Sequence, residues 1–154
     1  MKTYLIDGNN LIGKIPRLFS LQKKDGQSSR EQLAFMLERF FSKKKVKFII
    51  HFDGYKNLPI KLSSGKIIYS DNRTADENIK VQIEQSKNSK NISVISSDFS
   101  IAQYAKKCSC EVISSEDFAR QILSEKNIND EENIIDSLKK ETEEFKKLFG
   151  ADED

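Results

Sequence analysis

The chain has 154 residues, 37% of them hydrophobic and 32% charged, which suits one domain with a heavily charged surface and a core of ordinary size. No stretch approaches the ~20 apolar residues of a membrane span, and an apolar run begins so early that no signal peptide is expected. The formal net charge of +2 conceals a polarity: residues 1–110 carry 20 Lys+Arg against 10 Asp+Glu, and residues 111–154 carry 6 against 14. A basic body of this kind suits a polyanionic partner, although a solvated lysine-rich surface would give the same count. Cys108 and Cys110 stand one residue apart, too close to bridge each other without strain and too few for zinc. They read as plain thiols of a reducing, cytoplasmic protein.

The first strand, about residues 2–6, stops at Asp7-Gly8-Asn9-Asn10, a sequence that reads as a turn. Leu11, Ile12, Ile15, Leu18 and Phe19 recur at helical spacing, but Gly13 and Pro16 predict a short or broken helix. A polar loop over 23–27 follows. Ser28 or Ser29 can cap the next helix, with Glu31 and Gln32 at capping-box distance. Leu33, Met36, Leu37, Phe40 and Phe41 form one buried helical face, and Lys43-Lys44-Lys45 suits the negative end of the dipole.

Val46–Phe52 is the second strand and stops at Asp53-Gly54; His51 within it reads as a packed core residue. After a loop with Pro59, residues 66–69 make a third strand. Thr74-Ala75-Asp76-Glu77 is a capping box for a helix whose inner stripe is Ala75, Ile79 and Ile83. Asn88 to Asn91 breaks that helix. Ile92–Ile95 is the fourth strand, ending at Ser96-Ser97-Asp98, and a helix carrying Ile101, Ala102, Tyr104 and Ala105 follows. Glu111–Ile113 is a short edge strand, after which Ser114 or Ser115 caps a helix through Phe118, Ile122 and Leu123. Beyond Asn127 a charged helix carries Ile135, Leu138, Thr142, Phe145 and Phe149 at alternating spacings of three and four. Strands that alternate with helices throughout predict an α/β fold: a mostly parallel sheet of about five strands with helices on both faces. Residues 1–126 form the domain body, and 127–154 a helix and acidic tail belonging to the same domain.

Asp7, Asp53 and Asp98 each follow an apolar strand, and Asp76 opens the helix after another. Singly, each is explained as a turn, a cap or a dipole-favoured acid. In a parallel sheet, however, all carboxyl ends of strands share one edge, where such folds bind ligands. Four carboxylates gathered there would raise each other's pKa values unless a hard cation joined them. An oxygen-only set without His or Cys points to Mg²⁺ or Mn²⁺ rather than zinc. An acidic metal-binding pit in a basic body suggests phosphodiester hydrolysis. Asn9, Asn10, Thr74 and Ser97 are neutral groups beside the acids, suited to orienting a carboxylate or touching a phosphate. Lys23, Lys24, Arg30, Lys56, Lys61 and Arg73 are candidates for phosphate contacts from loops and helix starts.

Asp7-Gly8-Asn9-Asn10-Leu11, Phe52-Asp53-Gly54, Thr74-Ala75-Asp76-Glu77-Asn78-Ile79 and Ser96-Ser97-Asp98, in this order across about residues 3–124, resemble the motifs of NYN domains. These are a branch of the PIN-like nucleases, and the YacP-like group is the nearest in pattern. The resemblance implies a three-layer α/β/α PIN-like fold with sheet order 3-2-1-4-5 and metal-dependent endoribonuclease activity in RNA processing or decay. It places the family's acids on Asp7, Asp53, Asp76 and Asp98, with Asn10 near substrate or metal. One departure is that Phe99, Ser100 and Ile101 stand where many relatives carry a further acid. The partners implied are RNA and a ribosome or RNA-processing proteins that present it, with no membrane and a monomeric or weakly dimeric state.

Two other readings compete. An RNA-binding module that has lost catalysis would explain the missing acid after Asp98. A phosphatase of the haloacid dehalogenase type also begins with a strand ending in Asp, but it needs a second Asp two residues on, where this chain has Asn9.

Overall fold

The computed structural model describes residues 1–124. Contacts divide the chain into two compact units, Met1–Arg120 and Gln121–Asp154; the fold and site described below belong to the first. The expected C-terminal helix, with its stripe from Ile135 to Phe149, and the boundary at 126/127 lie outside the described residues.

Five strands form one sheet in the order β3-β2-β1-β4-β5: β1 (Lys2–Asp7), β2 (Val46–Phe52), β3 (Gly65–Tyr69), β4 (Ile92–Ile95) and β5 (Glu111–Ile113). Every pairing is parallel, as the alternation of strands and helices predicts. β1 lies mid-sheet, between β2 and β4. The chain moves outward from β1 to β3 and then returns to the other side of β1. That makes the β1/β4 boundary the switch point, where the connections diverge and leave a crevice.

Alternation along the strands sends neighbouring residues to opposite layers. On one face Leu5 and Val94 are buried with Ile79 and Ile83 of α4 (Ala75–Gln85) and Ile101 and Ala105 of α5 (Phe99–Lys107). On the other, Tyr4 lies 4.8 Å from Phe41 of α3 (Gly26–Phe41) between ring centroids, and Phe41 stacks on Phe48 at 4.9 Å. Phe118, in α6 starting at residue 115, meets Phe40 edge-on at 5.3 Å. Helices thus cover both faces, giving the three layers.

Three local expectations change. Asp7-Gly8-Asn9-Asn10 is not a turn: β1 passes directly into α1 (Gly8–Ile12), with Asp7 in the N-cap position. Gly8 is required there by space rather than by backbone angle. A Cβ on it would lie 2.6 Å from the Phe52 ring and 2.9 Å from the His51 carbonyl oxygen. The segment at 23–27 is not a loop either. Helix α2 (Pro16–Lys24) runs to Lys24, and Asp25 caps α3 by accepting from the Ser28 backbone N–H at 3.1 Å and from its hydroxyl at 2.7 Å. A carboxylate three residues before the first serine outcompetes either hydroxyl for the cap. The predicted break is real: α1 and α2 are separate, and Pro16 sits at the first position of α2, where its missing N–H costs nothing.

Candidate active site

Register explains why acids distant in sequence come to one edge of the sheet. Asp7 pairs with His51 across β1/β2, and Ile6 pairs with Ile95 across β1/β4. Asp53 and Asp98 follow those partners by two and three residues, so all three acids emerge from the carboxyl edge at neighbouring strand ends. Asp7 is buried, whereas Asp53 and Asp98 are exposed.

Each carboxylate has a defined partner. Ser96 donates its hydroxyl to Asp7 Oδ2 at 2.9 Å across the switch point, and the same hydroxyl accepts from the Asp98 backbone N–H at 3.1 Å. Asp53 Oδ1 accepts from the Ala75 N–H at 2.7 Å, which fastens the start of α4 to the end of β2. Asp98 caps α5 by accepting from the Ile101 N–H at 3.1 Å. Burial pushes the Asp7 carboxyl up from 3.8 to about 6, and the charges of Asp53 and Asp98 push in the same direction against the Ser96 hydroxyl and the Asn10 N–H. Asp76 differs from this trio in having a cation beside it. It lies in the first turn of α4, its Oδ1 3.2 Å from the Lys80 ammonium.

The neutral residues act as clasps. Asn9 Oδ1 accepts from the Asp53 N–H at 2.9 Å. Asn10 Oδ1 accepts from the Ser97 N–H at 3.0 Å and the Ser115 hydroxyl at 2.6 Å. Together they tie the start of α1 to the ends of β2, β4 and β5. With both carbonyl oxygens occupied, what Asn9 and Asn10 can offer a substrate is their Nδ2 donors. Thr74 caps α4 by accepting from the Glu77 N–H at 3.1 Å. Ser97 is fully engaged: its hydroxyl accepts from the Ser115 N–H at 2.8 Å and donates to Glu116.

Among the basic candidates, Lys56, Lys61 and Arg73 are exposed on the loops flanking β3. Lys23 lies over the Phe19 ring at 4.5 Å. Arg30 is committed elsewhere: its guanidinium donates to the carbonyls of Asp53 and Tyr55 and lies over the rings of Phe52 and Tyr69. It holds the β2–β3 loop instead of waiting for a phosphate.

Sequence reasoning passed over Ser96, Lys80 and Glu116. Glu116 is held down to about 2 by the Ser97 hydroxyl and by Lys14, whose ammonium lies 3.0 Å away. Only the position of β5 in the sheet brings Glu116 to this edge, so no local spacing could have flagged it.

The donor set bears on whether a cation could sit here. It is all oxygen, the buried Asp7 carboxylate carries the charge of two neighbours, and no cationic side chain pairs with Asp7, Asp53 or Asp98 among the described residues. That chemistry fits a hard divalent ion. Among the described residues no three acids, histidines or cysteines are already close enough to hold one, so the side chains would have to draw in around it.

A family model of the YacP-like NYN domain matches residues 4–151 of this chain. The chain belongs to the YacP-like NYN family. In the crystal structure of Rae1 (YacP) from Bacillus subtilis, a chain 27% identical superposes with a TM-score of 0.71, covering 97% of this chain and 93% of that one. The W164L mutant of the same protein matches at 23% identity with a TM-score of 0.71, over 88% and 84% of the two chains. A comparison with curated proteins found no match. Membership in the YacP-like NYN family carries a nuclease-type, RNA-related role and bears out the resemblance drawn from the motifs.

Proposed function

We propose that this protein is a divalent-metal-dependent endoribonuclease that hydrolyses phosphodiester bonds in accessible, single-stranded or looped RNA during RNA processing or decay. The observation that carries this reading is the Ser96 hydroxyl joining Asp7 to the Asp98 backbone across the switch point, with Asp53 at the end of the adjoining strand. Asp7, Asp53 and Asp98 would hold Mg²⁺ or Mn²⁺, with Asp76 the fourth acid of the set, at the start of α4. Such an ion, when bound, neutralises charge developing on the phosphate and lowers the pKa of a coordinated water.

The chain's own residues do the positioning. Asp7 is buried and held by the Ser96 hydroxyl, so its carboxylate has little rotameric freedom to lose. Asn9 and Asn10 hold three strand ends in register and have amide donors left for phosphate oxygens. Thr74 keeps Asp76 at the start of α4. Lys56 and Arg73, on the loops leaving β2 and β3, would guide the RNA backbone, helped by the basic charge of residues 1–110. A compact edge reads accessible backbone more readily than a stacked duplex. The two free cysteines agree with a cytoplasmic setting, where the RNA could be met directly or presented by a ribosome or RNA-processing protein. No helix among the described residues is long and apolar enough to cross a membrane.

The purified protein is expected to cut a labelled single-stranded RNA internally with Mn²⁺ or Mg²⁺ and to stop when EDTA is added. Binding without cleavage under either metal would favour the second reading, an RNA-binding module with weak or lost catalysis. The absence of an acid at Phe99, Ser100 and Ile101 is what favours that alternative.

A further inference from the structure

One cation on this edge is not used by the reading above. The Lys80 ammonium lies 3.2 Å from Asp76 Oδ1 and donates to the Ser100 hydroxyl at 2.6 Å. Ser100 follows Asp98 by two residues, in the first turn of α5. An ordinary i,i+4 pair stays on one helix and contributes little to stability. This one reaches across and joins the N-terminal turns of α4 and α5. Asp76 Oδ1 is buried and accepts no hydrogen bond, so the nearby ammonium is what compensates its charge among the described residues. The Lys80 side chain is only 30% exposed, which strengthens that compensation relative to a fully solvated pair. The edge therefore carries two kinds of negative charge. Asp7, Asp53 and Asp98 have no cationic partner among the described residues, and Asp76 has one supplied by its own helix.

We infer that Lys80 is a positioning residue that supplies the second positive charge of this edge from within the chain, so that the centre takes one divalent ion and not two. The inference rests on the metal-dependent reading above. It assigns Asp76 chiefly to Lys80 and leaves the strand-end trio to hold the ion. It also gives Ser100 a use: a neutral hydroxyl there accepts from the ammonium without adding a charge that would call for another cation.

Counting bound Mn²⁺ tests this without reference to cleavage, by electron paramagnetic resonance of the free ion as the full chain is titrated. Wild type is expected to bind one ion per chain, and so is Lys80→Arg, which keeps the charge. Lys80→Gln is expected to bind two, because Asp76 then has no cation of its own chain to pair with. Two ions in wild type, or one in Lys80→Gln, would overturn the inference while leaving a metal-dependent centre intact. No binding by any of the three proteins would instead remove the metal-dependent reading, and the inference with it.

Discussion

Asp7→Asn is expected to stabilise the protein at pH 8 by about 2 kcal/mol while reducing RNA cleavage by about a thousandfold or more. Both effects come from one side chain. In the folded protein the Asp7 carboxyl titrates near 6 against 3.8 in its ordinary state, mainly because it is buried. A raised carboxyl favours the protonated form, so its stabilisation is complete below about pH 4 and is lost as pH rises through 6. At about 1.4 kcal/mol per pKa unit the ceiling is about 3 kcal/mol, and the residual exposure of Asp7 lowers it to about 2. The amide keeps an acceptor for Ser96 but carries no charge, so the variant loses the alkaline penalty and has no anion to offer a metal. Loss of a charged group aimed at developing charge costs on the order of a hundred- to a thousandfold or more in rate. Urea titrations in EDTA at pH 4 and pH 8 check the stability half. The two proteins should coincide at pH 4 and separate at pH 8, with the variant the more stable. Equal stability at pH 8 would mean that Asp7 is not held at a cost by the fold.

Gly8→Ala is expected to cost about 1–3 kcal/mol and to lower cleavage about a hundredfold. The new methyl would meet the Phe52 ring at 2.6 Å and the backbone oxygen of His51 at 2.9 Å. A ring can swing, but a strand carbonyl cannot withdraw without disturbing the β1/β2 ladder, so overpacking of this size falls within the usual range. Phe52 directly precedes Asp53, and the displacement therefore reaches the site; a shift of about an ångström at reacting groups can cost about a hundredfold. Gly26→Ala is the control, since nothing lies within 4 Å of its added carbon. Its effect should stay within about 0.5 kcal/mol, with unchanged cleavage. If Gly8→Ala melts and cleaves like wild type, the close approach of α1 to β2 is not what sets the position of Asp53.

The contrast between these positions shows what the sequence could and could not reveal. Strands β2, β4 and β5 were legible to the residue because each is an apolar run ended by a turn former, and their parallel order followed from the intervening helices. Asp7-Gly8-Asn9-Asn10 misled because glycine and asparagine are locally turn-prone. The deciding contacts are non-local: Gly8 is set by Phe52, Asn9 by Asp53, and Asn10 by Ser97 and Ser115. That Asp7, Asp53 and Asp98 end on one edge was readable from topology, since parallel strands share their carboxyl side. The separate status of Asp76 was not, because it depends on a lysine four residues along its own helix and a serine on another. Arg30 looked like a free cation in sequence and is instead the fastener of the β2–β3 loop, a role visible only once Asp53 and Tyr55 are seen to present their carbonyls to it.

In the proposed centre the strand-end carboxylates of Asp7 and Asp98 would share a divalent cation. Anomalous difference density from a crystal grown with Mn²⁺ would reveal such an ion. A manganese peak bound by both carboxylates is expected, absent from Asp7→Asn crystals under the same conditions. A wild-type crystal with no peak at these side chains, or with manganese held elsewhere on the chain, would contradict the proposed centre.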